Sequence, residues 1–471
     1  MILLDILFKP FDVIVAPLCF VLLLMIFSGI MRKYNEQQRK LFMKAFYFKM
    51  AFALIFTAMC SFYYRGGDTE MYYQCTTFLH QAVVDDYENL YKILGTQKIS
   101  IETPLVNYFL WTGSRYPVFE AMADPGNFMA PKLGLIPSLI FNKSYLCISM
   151  FFSFFALGGA IRMYKFFLHF FPQYYREVAL ATLFLPSVTL WSSGLMKDPI
   201  TFGSVGYLLY GVFNIFIKRQ KIFGSLIWVG ISIFFLFYIK VYILMAIAPA
   251  IVIWLFREFN KVVKNKTLRN ITAVFTFGIG ALLGVVLINY VTSAESMQAF
   301  RLDAIVESSA SNRALYQGFS ETLEGSYFNI QTQNPVLLIP SGIVATLYRP
   351  FLWEINSATA LLSSLEAMFF LYLTISIMYK VGVGKFFKNI FHQPILLMCF
   401  MFSLIFAAAI GSTALNFGSL SRYKIPCLPF YLIMVLVMFQ EASIQYPRWF
   451  KKLLGYKTAP RWAQRQKPEL T

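Results

Sequence analysis

Apolar residues along this chain come in repeated blocks of roughly 18–20, parted by short polar stretches. Blocks of that length match the ~20 residues an α-helix needs to cross about 30 Å of hydrocarbon. Periodicity inside the blocks is weak, as expected of helices that face lipid on one side and protein on the other. Barrel strands need only about 9–11 residues and alternate, which these blocks do not. The pattern predicts an all-α, polytopic integral membrane protein with about eleven transmembrane helices.

Taken in order, the predicted spans lie at about 12–30, 45–63, 145–161, 178–190, 200–217 and 222–238, with a seventh descending to Arg257. The eighth covers about 271–290, the ninth descends to Lys380, and the last two cover about 394–410 and 425–439. Between them the charges alternate in kind. Arg32, Lys33, Arg39, Lys40 and Lys44 follow the first span; Arg162 and Lys165 follow the third; Lys218, Arg219 and Lys221 follow the fifth. Arg257, Lys261, Lys264, Lys266 and Arg269 follow the seventh, and Lys380, Lys385 and Lys388 the ninth. Short loops rich in Lys and Arg stay on the cytoplasmic side, so the N-terminus is expected outside and the C-terminus inside. Two long outer segments result, about 64–142 and 291–356. The first holds Asp85, Asp86, Glu88, Glu102, Glu120 and Asp124, and the second Glu295, Arg301, Asp303, Glu307, Arg313, Glu321 and Glu324. Semi-apolar pieces at 101–111 and 133–141 predict helices lying on the membrane surface. The organisation is a single transmembrane domain over 1–445 and a basic cytoplasmic tail over 446–471.

Composition agrees. The chain is 58% hydrophobic and 18% aromatic, with 14% charged residues against about 25% in soluble domains. Its net charge of +18 invites a nucleic-acid reading, but the basic residues cluster beside apolar blocks as the positive-inside pattern requires. Six Cys include no Cys-x-x-Cys, and Cys75 stands alone in a polar stretch, so neither a zinc site nor a disulfide frame is expected. His80, His169 and His392 show no ligand spacing. Residues 1–11 lack the length and small-residue site of a cleavable signal. No internal repeat of the inverted-transporter kind is evident.

The predicted topology puts five polar clusters on one face: Asp68/Glu70, Lys197/Asp198, Lys240/Tyr242, Arg349/Glu354 and Arg422/Lys424. A shared face is what one reaction site requires. Asp68 follows Gly66-Gly67, where the backbone can bend sharply and a ligand can come close. It is either a general base or divalent-cation ligand, with Glu70 sharing the role, or a cap for the helix running into Tyr72 and Tyr73. Arg349 and Arg422 sit among aromatic rings and prolines at span ends. A guanidinium fork matches phosphate oxygens, so both are candidates to grip a lipid-linked phosphate; interfacial anchoring is the competing role. Lys424 either assists or snorkels. Lys197 and Asp198 are either site residues or a salt bridge and cap at a helix start before Pro199. Lys240 lies between two apolar blocks with almost no loop, so its charge needs a partner or water.

The stretch Gly67-Asp68-Thr69 with Tyr72-Tyr73 resembles the G-[ST]-D-x-x-x-Y region of EpsG-like and Wzy-like bacterial polysaccharide polymerases. Ser421-Arg422-Tyr423-Lys424-Ile425-Pro426 resembles the RY-x-x-P region of those proteins and of GT-C glycosyltransferases. Leu185-Pro186-Ser187 with Trp191 to Asp198 is similar to a stretch of multi-pass envelope glycan proteins. The resemblance implies an inverting glycosyltransferase or polymerase of the bacterial cytoplasmic (inner) membrane that uses a polyprenyl-phosphate or polyprenyl-diphosphate sugar at the outer leaflet. On that expectation Asp68 activates or orients the acceptor hydroxyl, and Arg349 and Arg422, with Lys424 and Lys240, hold the leaving phosphate; Lys197, Asp198, Tyr72 and Glu354 support them. No cofactor or metal ligand set is expected, although a divalent cation stays open, because GT-C enzymes pair an acidic residue with one. The partners expected are the polyprenyl-linked glycan and membrane lipid, and no nucleic acid. The competing classes are a transporter or flippase for a lipid-linked oligosaccharide, which needs charges buried within spans, and a non-catalytic subunit of an envelope complex.

Overall fold

A computed structural model describes residues 9–64, 67–110, 118–261, 335–355, 357–414 and 416–456. The regular elements among the described residues are all helical. Among the described residues, seven helices are long and apolar enough to cross a membrane. The expected eighth span at 271–290, the charged residues from Lys264 to Glu324, and the tail beyond 456 lie outside the described residues.

Contacts sort the helix ends onto two faces. α1 (Asp12–Met31) and α2 (Glu36–Ala58, continued by a π-helical turn at Met59–Tyr64) pack through Phe27 and Phe46, stacked at 4.9 Å. α3 (Asp68–Asp85) and α4 (Pro125–Ile140) form a cap over the first face. They meet at Gly134, where a Cβ would lie 3.1 Å from the Thr76 hydroxyl oxygen. α5 (Tyr145–Phe170) then runs down to the second face, where Lys165 donates to the Tyr34 hydroxyl at 3.3 Å.

The return is made by a broken riser of three short pieces, Tyr175–Ala179, Leu180–Phe184 and Pro186–Trp191. This is the stretch read as a continuous fourth span. Pro186 and a run of Thr and Ser interrupt it, and the freed carbonyls need partners inside the bundle. Lys49, in the middle of α2, supplies them: its ammonium donates to the carbonyls of Thr189 (3.1 Å) and Ser192 (2.7 Å) and to the Ser192 hydroxyl (2.5 Å).

α6 (Lys197–Phe213, continued to Lys218) descends parallel to α5. The two touch backbone to backbone: a Cβ on Gly159 would sit 2.3 Å from the Gly203 carbonyl oxygen, and one on Gly206 2.1 Å from that of Gly159. α7 (Ile222–Asn260) has 39 residues, about twice what a span needs, but Lys240 breaks it with φ −150° and ψ 74°. Trp228 stacks on Tyr207 at 4.2 Å before the break, and Trp254 meets Phe166 at 5.1 Å after it, both toward the second face. The two arms therefore run antiparallel with Lys240 at their apex on the first face, the turn expected there.

α8 (Pro335–Tyr348) is an apolar helix where the reading above placed an outer segment. It packs into the bundle, with Thr346 donating to the Ala407 carbonyl at 3.0 Å. α9 (Ala358–Val381) descends from Thr359, whose hydroxyl shares a 2.7 Å hydrogen bond with Tyr64. α10 (Val383–His392) lies on the second face, and Phe391 accepts from Arg257. α11 (Pro394–Thr413) rises; α12 (Phe417–Tyr423) and α13 (Leu428–Glu441) follow with a 73° bend between them. Pro426 prevents one straight helix there. Phe430 of α13 packs between Phe402 (4.7 Å) and Phe167 (5.4 Å), tying α11 and α5 together.

In the cap, Cys75 is buried on α3 rather than placed in a loop. The 101–111 piece forms only the short helix Asn107–Leu110 among its described residues, and the 133–141 piece is the second half of α4.

Candidate functional site

Gly67 holds φ +100°, a region closed to most side chains, and turns the chain from α2 into α3. Asp68 is the first residue of α3. Gly67 occupies the N-cap position, so the capping role open to Asp68 falls away and its carboxylate is free for other contacts. The next residue pins the helix start: the Thr69 hydroxyl donates to the Leu195 carbonyl at 2.9 Å and shares a 2.6 Å bond with the Tyr145 hydroxyl. Leu195 precedes α6 by one residue, so this anchor sets Asp68 beside Lys197 and Asp198.

Four charges then form a continuous chain. Arg422, on α12, donates from Nη1 to Asp68 Oδ2 at 2.9 Å, and its Nη2 lies 3.5 Å from Asp198 Oδ2. Asp198 Oδ1 accepts from the Lys240 ammonium at the apex of α7. Asp68 and Arg422 are 354 residues apart in sequence. Aromatic rings wall the group: Trp191 and Tyr423 each lie 5.9 Å from the Arg422 guanidinium, and Lys240 sits 4.7 Å from the Tyr423 ring. Accessibility grades along the chain, with side chains 49% exposed at Asp68, 17% at Arg422, 6% at Lys240 and 1% at Asp198. Asp68 is the member of the group open to solvent, and Asp198 and Lys240 are the buried pair behind it.

Lys197 does not pair with Asp198, as a helix-start salt bridge would. It donates to Asn127 Oδ1 at 2.7 Å, and the Tyr72 hydroxyl donates to the same oxygen at 3.0 Å. Burial pushes the Tyr72 phenol well above its ordinary range, so it stays a donor. Arg422, Lys240 and Lys197 face Asp68 and Asp198, and the charge of Asp124 also reaches Lys197. The Arg422 Nε is buried and makes no hydrogen bond among the described residues.

Arg349 is elsewhere. Its Nε lies 3.0 and 3.1 Å from the two carboxylate oxygens of Glu354, which also accepts the Phe351 N–H at 2.8 Å. The tight turn between α8 and α9 brings these two close in sequence and commits the guanidinium fork that was expected to hold phosphate. Lys424 donates to the Arg349 carbonyl at 3.1 Å, and the Arg349 guanidinium lies 5.3 Å from the Phe417 ring. Nearby, Ser187 donates its N–H (2.9 Å) and hydroxyl to Glu366 of α9. Arg349, Glu354 and Lys424 thus form a second polar group, joined to the first through Lys424 at the end of α12. Glu70 is buried about 200° round α3 from Asp68 and accepts from Gln74 at 3.3 Å. Tyr242 is in the α7 arm below Lys240, its ring 5.9 Å from Phe406.

Sequence reasoning missed Asn127 and Lys49. Asn127 follows Asp124-Pro125-Gly126, a helix-start signal that places it in the first turn of α4, facing α3. Lys49 is a single charge inside an apolar block, the signal used for Lys240 but not applied there. Among the described residues no group of three or more His, Cys, Asp or Glu side chains is placed to hold a metal ion. No protein-family model, curated protein or solved structure matches this chain.

Proposed function

We propose that this chain is a membrane glycosyltransferase or polysaccharide polymerase with about eleven spans, acting at the extracytoplasmic face on a polyprenyl-phosphate-linked or polyprenyl-diphosphate-linked sugar. The observation that carries the reading is the Asp68–Arg422–Asp198–Lys240 chain: an accessible carboxylate backed by a buried, net-cationic group at the edge of the spans. The acceptor hydroxyl would lie against Asp68. As its oxygen bonds to the anomeric carbon, the bond from that carbon to the phosphate oxygen breaks, and the phosphate leaves with the electron pair. The hydroxyl proton passes to Asp68 or to water held by it. Negative charge grows on the leaving phosphate, and Arg422 with Lys240 and Lys197 supplies preorganised positive charge for it. Arg349 then orients α12 through Lys424, a positioning role in place of the phosphate contact first expected.

The test is polysaccharide synthesis by cells carrying Asp68→Asn or Arg422→Lys at matched membrane levels. Loss of polymer in both supports transfer, since Asn keeps the shape of Asp68 and Lys keeps the charge of Arg422. Full-length polymer from both removes the reading.

Buried charges at Lys49, Lys240 and Asp198, with Glu366 half-buried within α9, favour a second reading, a pathway for a lipid-linked oligosaccharide. Each has a fixed protein partner, however, and Lys49 serves the broken riser. Flux of labelled lipid-linked substrate into vesicles, retained in Asp68→Asn, would favour the pathway.

A further inference from the structure

The second face carries a cavity that the proposed transfer reaction does not use. It has a volume of about 710 Å³ and lies between the end of α1, α5, α6 and the start of α7. Its lining contains Lys33, Arg162, Lys165, Lys218 and Lys221 and no Asp or Glu. None of these five forms a salt bridge among the described residues. Four of them, Lys33, Arg162, Lys165 and Lys218, lie over aromatic rings instead. The Arg162 guanidinium lies 4.0 Å from the Tyr207 ring and 5.4 Å from Trp228, and one of its nitrogens donates to the Gly158 carbonyl at 3.0 Å. Lys165 sits over Tyr210 at 4.7 Å and Tyr34 at 5.2 Å.

A cation on an aromatic face is positioned without being neutralised. Basic residues at this face need no special explanation, but their usual place is a solvated loop, not the wall of a shared cavity. The cavity is also two-ended. Phe27, Phe151 and Phe154 line one end, and the cations line the other. From Phe154 to Lys165 the wall of α5 runs about 16 Å. An apolar slot that ends in unpaired cations has the profile of an anionic amphiphile, with its chain against the Phe residues and its head against Arg162 and Lys165.

We propose that this cavity binds the phosphate headgroup of an anionic membrane lipid, with Arg162 and Lys165 as its principal contacts and Lys218 and Lys221 at its mouth. A free phosphate would use only the cationic end and leave the apolar end empty, which favours the lipid source. The site is independent of the transfer reading, since it shares no residue with the Asp68 group.

The test uses the full chain in neutral detergent and two readouts: lipid retention by native mass spectrometry and thermal shift. The probes are phosphatidylglycerol, phosphatidylcholine and inorganic phosphate. The expected result is retention of phosphatidylglycerol over phosphatidylcholine, weakened at least about tenfold in Arg162→Gln/Lys165→Gln. Lys218→Gln/Lys221→Gln, at exposed positions, should weaken it several-fold without risk to the fold. Equal retention of both lipids, or phosphatidylglycerol binding unchanged in both double variants, overturns the proposal. A shift with inorganic phosphate as large as that with lipid overturns the lipid assignment.

Discussion

The two faces of the bundle hold their cations in opposite ways. On the first, Arg422 and Lys240 are locked by Asp68 and Asp198, and the group is buried toward its far end. On the second, Arg162 and Lys165 rest on Tyr207, Trp228, Tyr210 and Tyr34, with no carboxylate in the cavity lining. An ion pair fixes geometry at a desolvation cost and commits part of each cation's charge to a fixed partner. A ring face fixes position more loosely and leaves the charge for a ligand. The first arrangement suits chemistry that needs atoms held in register; the second suits holding an anionic headgroup.

Breaking the pairing should have the largest effect. Lys240→Met leaves the buried Asp198 carboxylate with only its longer 3.5 Å contact to Arg422 and should cost about 3–5 kcal/mol, read as a loss of folded protein or of melting temperature in detergent. Adding Asp198→Asn should recover much of that loss, because the stranded charge is then gone. Asp68→Asn separates function from fold. Its pair with Arg422 is half exposed, so stability should change by less than about 1 kcal/mol. Polymer formation should fall by about 10²–10⁴-fold if Asp68 takes the proton. Lys49→Met removes a donor to the Ser192 carbonyl, and one of the two donors to the Thr189 carbonyl, at a cost of about 1–3 kcal/mol with no direct effect on the Asp68 group.

On the other face, Tyr207→Leu removes the ring beneath Arg162. It should cost about 0.5–2 kcal/mol and blunt the preference for anionic lipid without touching polymer formation. The smallest effect belongs to the cap. His80, in α3 against Ser138 of α4, has its pKa lowered by burial first and by Lys143 and Lys9 after it. The unfolded chain takes up the proton near about pH 6.5 and the folded one only below that. His80 therefore adds stability above that pH and loses it as pH falls through the folded value. His80→Gln should flatten the fall in melting temperature between neutral and mildly acidic pH.

The sequence made some of this legible for local reasons. A lysine with apolar blocks on both sides has to mark a turn or a buried partner, and Lys240 is both. Gly-Gly before Asp68 signals a sharp bend, and the alternation of basic loops groups Asp68, Asp198, Lys240 and Arg422 on one face. Facing, though, says nothing about pairing. Arg349 and Arg422 look alike in sequence, each beside a tyrosine near a proline, yet a glutamate five residues on claims the first while an aspartate 354 residues away claims the second. The broken riser was hidden because hydropathy averages over Thr and Ser, and its completion depends on Lys49 from another helix. The cavity on the second face was hidden because its cations read as loop charge; only the packing of α5 against α6 and α7 turns them inward.

The most direct measurement is polysaccharide output from cells carrying Asp68→Asn, with the variant's membrane level matched to the parent chain. The account predicts that the protein accumulates normally and the polymer is lost. Normal accumulation with full-length polymer would contradict it and leave the Asp68–Arg422 pair as a structural clasp.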